Sequence, residues 1–288
     1  MQAATIDAGA TSAFEALLQD YSAELTARDH KSLAAADQLP AGTEVFVASL
    51  PNDTVEDQVA ACVKLRQAGV TPVPHVVARN ITSATEMDEI LKRMVGEAGV
   101  DRALILGGDR DDPAGDFDSA LQLIETGLIQ KHGIGKIAIS CYPEGHPRIA
   151  DAVLEEARAT KLIAAEKAGL DVTLVSQFCF EAKPIIALTE RMRALGVTAP
   201  YRVGVAGPAK ATTLIKYAMI CGVGASMRAL KERQSLTRNL LTGVTPESLI
   251  RELADAQAAN PALGLSGIHF FTFGSLANSI KWIQGQIG

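Results

Sequence analysis

The residue types able to do acid–base or ligand chemistry cluster at the ends of short apolar runs. Asp109 closes Leu106-Gly107-Gly108-Asp109, with Asp111, Asp112 and Asp116 close behind it. It reads either as a helix cap or solvated turn acid, or as a carboxylate held at a ligand site. Four acids in one turn suggest a divalent cation, because magnesium takes carboxylates and water. No second Glu or His stands at a matching spacing, however, so no metal is expected. Glu144 and His146, in YPEGHP (142–147), are an acid–base pair by type, although Pro-Glu-Gly is also a common turn. His75, inside VPHVVA, has the surroundings of a satisfied core histidine as much as those of a ligand. Gln177 lies in VSQFCF, where alternation points it to either face. A buried glutamine needs both ends of its amide satisfied, which favours a ligand. Ser-His-Asp order, a Walker loop and a nucleophile elbow are all lacking.

Alternating strands and helices must position these groups. Ala103–Leu106 is too short and apolar for a helix and reads as a strand; a helix carrying Leu121, Leu123, Ile124 and Leu128 follows, then strand Lys136–Ser140. Upstream, helix Phe14–Gln19 is capped by Thr11 or Ser12 and precedes a weak strand, Tyr21–Leu25. Strand Val45–Leu50, a helix from Pro51 to Gly69, strand Pro72–Ala78 and helix Ser83–Gly99 come next, the last with an S-A-T-E capping box. Downstream, a helix from Pro147 to Lys167 leads to a long strand, Val172–Phe180, and helix Pro184–Leu195. Strand Arg202–Gly207 and helices Thr212–Cys221, Ala225–Leu241 and Pro246–Ala259 precede strand Ile268–Phe273 and helix Leu276–Gln286. Eight strand–helix units without a linker imply parallel strands with right-handed crossovers. The expected fold is a single-domain α/β (β/α)8 TIM barrel over residues 1–288, with 1–10 a flexible start. Strand C-termini then gather Glu24, Ser49, His75, Asp109, Tyr142 and Gln177 at one mouth, where barrel enzymes bind ligands.

The formal charge of −6, from 27 basic and 33 acidic residues, argues against a nucleic-acid platform. Four scattered cysteines, Cys62, Cys141, Cys179 and Cys221, each sit in an apolar run and read as buried free thiols of a reducing compartment. With no membrane-length apolar run and no signal-like start, a cytoplasmic protein without membrane contact is expected.

Four segments together resemble the methylenetetrahydrofolate reductase family: PHVVA, LGGDRDDPAGDF (106–117), YPEGHP and SQFCF (176–180). IHFFTF (268–273) is similar to the family's last strand, and the resemblance spans about residues 40 to 288. It implies a barrel with noncovalent FAD at the strand C-termini, interconverting methylene- and methyl-tetrahydrofolate with NADH or NADPH as the other redox partner. The implied general acid is Glu24, with a pKa raised by burial against the flavin and pterin rings. Asp109 takes the place of an aspartate that bonds the pterin and tunes the flavin. Gln177 takes that of a glutamine holding the pterin. Ser49, His75, Phe117, Tyr142 and His146 fall at flavin-binding positions, and Arg158 and Lys161 at the FAD phosphates. The chain departs from the pattern at Gly107, at Thr212 and Thr213 near Pro208, and at Phe273-Gly274-Ser275. A metal-dependent aldolase or lyase, a repurposed flavin or folate binder, and assembly into homo-oligomers stay open.

Overall fold

The computed structural model describes residues 8–50, 52–223 and 243–287. Eight parallel strands close in sequence order into one barrel: β1 (Ser22–Thr26), β2 (Glu44–Ala48), β3 (Thr71–Val77), β4 (Arg102–Leu106), β5 (Lys136–Cys141), β6 (Asp171–Ser176), β7 (Tyr201–Ala206) and β8 (Leu265–Phe271). The helices are α1 (Ala8–Gln19), α2 (His30–Ala34), α3 (Val55–Gln67), α4 (Ala84–Ala98), α5 (Ala120–Glu125), α6 (Leu128–Lys131), α7 (Asp151–Lys167), α8 (Ala182–Ala194), α9 (Ala211–Ile220), α10 (Glu247–Ala259) and α11 (Leu276–Ile287). The segment expected to be helical over Ala225–Leu241 lies outside the described residues.

Period-two alternation builds two cores. Outward residues such as Ala23, Val45, Ile105, Ile139 and Phe270 join the helices in the main core. Inward residues Phe46, Val73, Leu104, Ala138 and Val175, one from each of β2 to β6, fill the barrel. Gly204 of β7 has no room for a side chain, since a Cβ there would lie 2.2 Å from the Ser176 carbonyl and 2.9 Å from the Phe271 ring. That close approach lets the end of β6 and the Phe271 side chain share the mouth.

Several expected boundaries move, each for a local reason. The first helix starts at Ala8, so Thr11 and Ser12 lie within it instead of capping it. In the fourth helix Ser83 accepts from the Glu86 amide, but the Glu86 carboxylate turns back to the amide and hydroxyl of Thr82, so the expected capping box is only half formed. Thr54 and Asp57 form a complete box at the head of α3. The helix expected after β4 breaks into α5 and α6 at Gly127, whose φ of 73° no continuous helix accommodates. Strand β6 ends at Ser176, leaving Gln177 beyond it rather than within a long strand; only an isolated bridge from Cys179 to Val205 continues the sheet. All four cysteines are free, with Cys221 partly exposed because it ends α9 near the mouth.

Candidate active site

In-register pairing places Ser22 beside His269, and Glu24 beside both Phe271 and Phe46, all on the barrel's inner face. Glu24 is the hub of this group. Its Oε2 lies 3.3 Å from His75 Nε2 and 3.5 Å from His269 Nε2. The carboxylate side chain is 17% exposed, His75 is 9% exposed and His269 is fully buried. Neither buried Nε2 forms a hydrogen bond of normal geometry, so both rings lean electrostatically on one oxygen. The opposite nitrogen of His269, Nδ1, is 2.9 Å from Ser22 Oγ. Phe46 and Phe271 meet the His269 ring edge to face at 4.6 and 5.0 Å and fix its plane. The Thr272 hydroxyl donates to the Glu24 carbonyl at 2.6 Å, tying the exit of β8 to β1.

Burial pushes the Glu24 carboxyl up, but His269 and His75 outweigh it and hold the group at about 2. In the free protein the two imidazoles that face the carboxylate thus win over burial, whereas the raised acid that the resemblance implies is a carboxyl covered by flavin and pterin rings. Burial also lowers the pKa of His269, which Glu24 only partly offsets.

Asp109 stands farther out, near enough to Tyr142, His146 and Cys221 to act on them electrostatically. Its side chain is 96% exposed on the loop after β4, with Arg148 Nη2 at 3.9 Å. Two arginines that the sequence did not single out shape this loop. Arg79 donates to the carbonyls of Arg110, Asp111 and Asp118 at 2.8 to 3.0 Å. Arg148 donates to Asp111 Oδ1 at 2.7 Å and to the Asp109 carbonyl at 3.2 Å. The acids at 109 and 111 are thereby organised around cations, and among the described residues no group of three His, Cys, Asp or Glu is placed to hold a metal ion.

The segment after β5 forms the opposite rim. Tyr142 and His146 meet edge to face at 5.2 Å, and Tyr142 lines a small pocket with Gln177, Phe178 and Cys221. Gln177 Oε1 accepts from the Phe178 amide at 3.0 Å. Glu144 turns to the Cys179 thiol, which burial and then that carboxylate push well above the usual thiol range. Burial, then Arg148, lowers the pKa of His146. Ser49 sits half-buried just past β2, while Phe117 packs into the outer core.

Arg158 and Lys161 lie on the inner face of α7, close enough to Cys141 at the end of β5 to oppose the rise that burial gives its thiol. The Arg158 side chain is 9% exposed, with Glu155 at a loose 3.6 Å, and burial lowers the pKa of Lys161. Two poorly hydrated cations against one loosely placed carboxylate suit an anion.

The structure also shows an aromatic surface that sequence reasoning missed. Phe178 packs edge to face against Phe180, Phe271 and Phe273 at 5.2 to 5.7 Å, and Tyr217 of α9 stacks on Phe273 at 4.5 Å. Phe273 has a φ of 48°, a left-handed backbone that non-glycine residues adopt at a cost. Phe271 and Phe273 lie close in sequence, but only folding brings Tyr217 to Phe273.

Two solved structures match the chain at low identity. Dihydropteroate synthase from Thermus thermophilus is 16% identical, with a TM-score of 0.45 over 92% of this chain and 93% of that one. A protein provisionally named a lyase/mutase from Burkholderia cenocepacia is also 16% identical, with a TM-score of 0.49 over 96% of this chain and 84% of that one. The sequence signature of methylenetetrahydrofolate reductase, by contrast, matches residues 38–283, which include β2 to β8 and every site segment except Glu24 and Ser22. With an eight-stranded barrel and that match over most of its length, the chain belongs to the methylenetetrahydrofolate reductase family, oxidoreductases that act on folate.

Proposed function

We propose that this chain interconverts 5,10-methylenetetrahydrofolate and 5-methyltetrahydrofolate, with bound FAD and with NADH or NADPH as the second redox partner. The observation that carries the reading is Glu24 at the barrel mouth, clasped by His75 and His269. FAD, when bound, supplies a two-electron carrier that takes up and returns a hydride. The residues fit such a group at both ends. His75 presents a buried Nε2 without a well-formed hydrogen bond, and Tyr142 and His146 offer ring edges on the rim after β5. Arg158 and Lys161 supply cations suited to a pyrophosphate.

The chain's own work is proton control and placement. Opening the methylene bridge breaks a carbon–nitrogen bond, leaves an iminium and puts a proton on the leaving nitrogen. Glu24 is the carboxyl placed to give that proton. At about 2, it is ionised in the free protein at neutral pH. Covering the mouth with planar rings strips water from the carboxylate and raises its proton affinity, so that it takes up a proton from solvent as the substrate binds and holds it for the leaving nitrogen. Gln177 offers an amide to a polar ring edge, and the Phe273–Tyr217 stack offers a flat apolar surface to the rest of the folate.

The test is the visible spectrum of the purified protein, after reconstitution with FAD, followed by anaerobic addition of NADH, NADPH or methyltetrahydrofolate. Flavin absorbance bleached by a nicotinamide and by methyltetrahydrofolate is expected. A protein that stays colourless after reconstitution, or a flavin that methyltetrahydrofolate cannot reduce, refutes the reading.

A further inference from the structure

The Ser22–His269 pair does more than fill the core. His269 is fully buried, and burial keeps its ring neutral, so one nitrogen carries a hydrogen and the other a lone pair. Its Nε2 faces Glu24 Oε2 at 3.5 Å, and an ionised carboxylate can only accept. The hydrogen therefore belongs on Nε2, which leaves Nδ1 as the acceptor. Ser22 Oγ, 2.9 Å away and itself fully buried, is then the donor. We infer that Ser22 and His269 are positioning residues: the Ser22 hydroxyl fixes His269 as the Nε2–H tautomer and thereby aims a hydrogen at Glu24 Oε2, holding the carboxylate in place. The inference deepens the reductase reading and rests on it for its bearing on turnover.

Three features give the arrangement its direction. Phe46 and Phe271 pin the ring plane, so the ring cannot turn to seek another acceptor. Both imidazoles face Oε2, and among the described residues no hydrogen bond or ion pair is made to Oε1. Pairing Ser22 with His269 in strand register, and Glu24 with Phe271 two residues on, makes the contact a product of the β1–β8 seam and not of a mobile loop. The titratable and charged groups facing this cluster are His75 on β3, Arg202 on β7 and the Cys221 thiol at the end of α9. Arg202 further disfavours a charged His269, and Cys221 is pushed up to about 11 by burial and by Glu24, so neither competes for the proton at neutral pH.

The test is the long-range ¹H–¹⁵N spectrum of the histidine rings in the free, full-length protein, with His269 assigned by its loss in His269→Gln. The wild-type ring is expected to show a protonated Nε2 and a bare Nδ1 at neutral pH. Ser22→Ala should release the tautomer, giving a mixed ring, and the Glu24 carboxyl carbon should begin to titrate about one pH unit higher, a tenfold gain in proton affinity. Ser22→Thr, which keeps the hydroxyl, should restore both signals. A wild-type ring protonated on Nδ1 overturns the inference, as does a folded Ser22→Ala protein with tautomer and Glu24 titration unchanged. These spectra need neither flavin nor turnover, so failure of the inference and failure of the reductase reading are separate results.

Discussion

Replacing Glu24 by Gln keeps the shape of the side chain and deletes the charge on which His75 and His269 lean. The carboxyl falls from its ordinary 4.5 to about 2 in the folded protein. A group whose folded pKa is depressed stabilises the fold fully above its unfolded pKa and loses that stabilisation as pH falls through the folded value. The window is therefore pH 4.5 down to 2, and the wild type is the protein that weakens within it. At about 1.36 kcal/mol per pH unit, the full contribution is about 3 kcal/mol, of which about 1.5 is lost between pH 4.5 and pH 3. His269, lowered by burial and partly restored by Glu24, begins its own loss below its ordinary 6.5 in both proteins, so a difference confined to pH above 4.5 does not count as the Glu24 signal. Trp282, the chain's single tryptophan, packs on Phe270 behind β8 and reports unfolding directly. Urea denaturation followed by its fluorescence, at several pH values from 7 to 3, gives the difference between wild type and Glu24→Gln. A difference that stays flat from pH 4.5 to 3 would show that the imidazoles do not hold the carboxylate.

Rapid mixing of the two half-reactions is expected to separate roles at the mouth. Glu24→Gln should slow the folate half by about 10²–10⁴-fold and leave flavin reduction by nicotinamide nearly intact, and equal slowing of both halves would make Glu24 structural. Arg158→Ala and Lys161→Ala should each weaken FAD retention by about 1.5–3 kcal/mol; full flavin content after extensive dialysis would remove them from the phosphate site. Gly204→Ala forces a Cβ to within 2.2 Å of a backbone carbonyl, so unfolding free energy should drop by about 1–3 kcal/mol, and an unchanged denaturation midpoint would mean that β6 and β7 shift freely. Arg79→Ala removes the three contacts to carbonyls at 110, 111 and 118, so limited proteolysis should cut the 107–118 loop faster than in wild type.

The repeat of short apolar runs and helices determined the barrel, because parallel strands buried on both faces leave a pattern that survives in one dimension. Their ends also placed Glu24, His75 and Gln177 close to where they stand, since strand C-termini share one mouth. The motif segments in turn carried the family, which the match over residues 38–283 established. Other features had no local signature. Ser22 and His269 are 247 positions apart and meet only because the last strand closes against the first. That closure also bears on the Glu24 pKa, since it brings His269 to a carboxylate that His75 of β3 already faces. Arg79 and Arg148 meet the loop after β4 only in the folded chain, and only the packing of α9 lays Tyr217 on Phe273. Local propensity sets which face a side chain occupies, and long-range closure sets what that face meets.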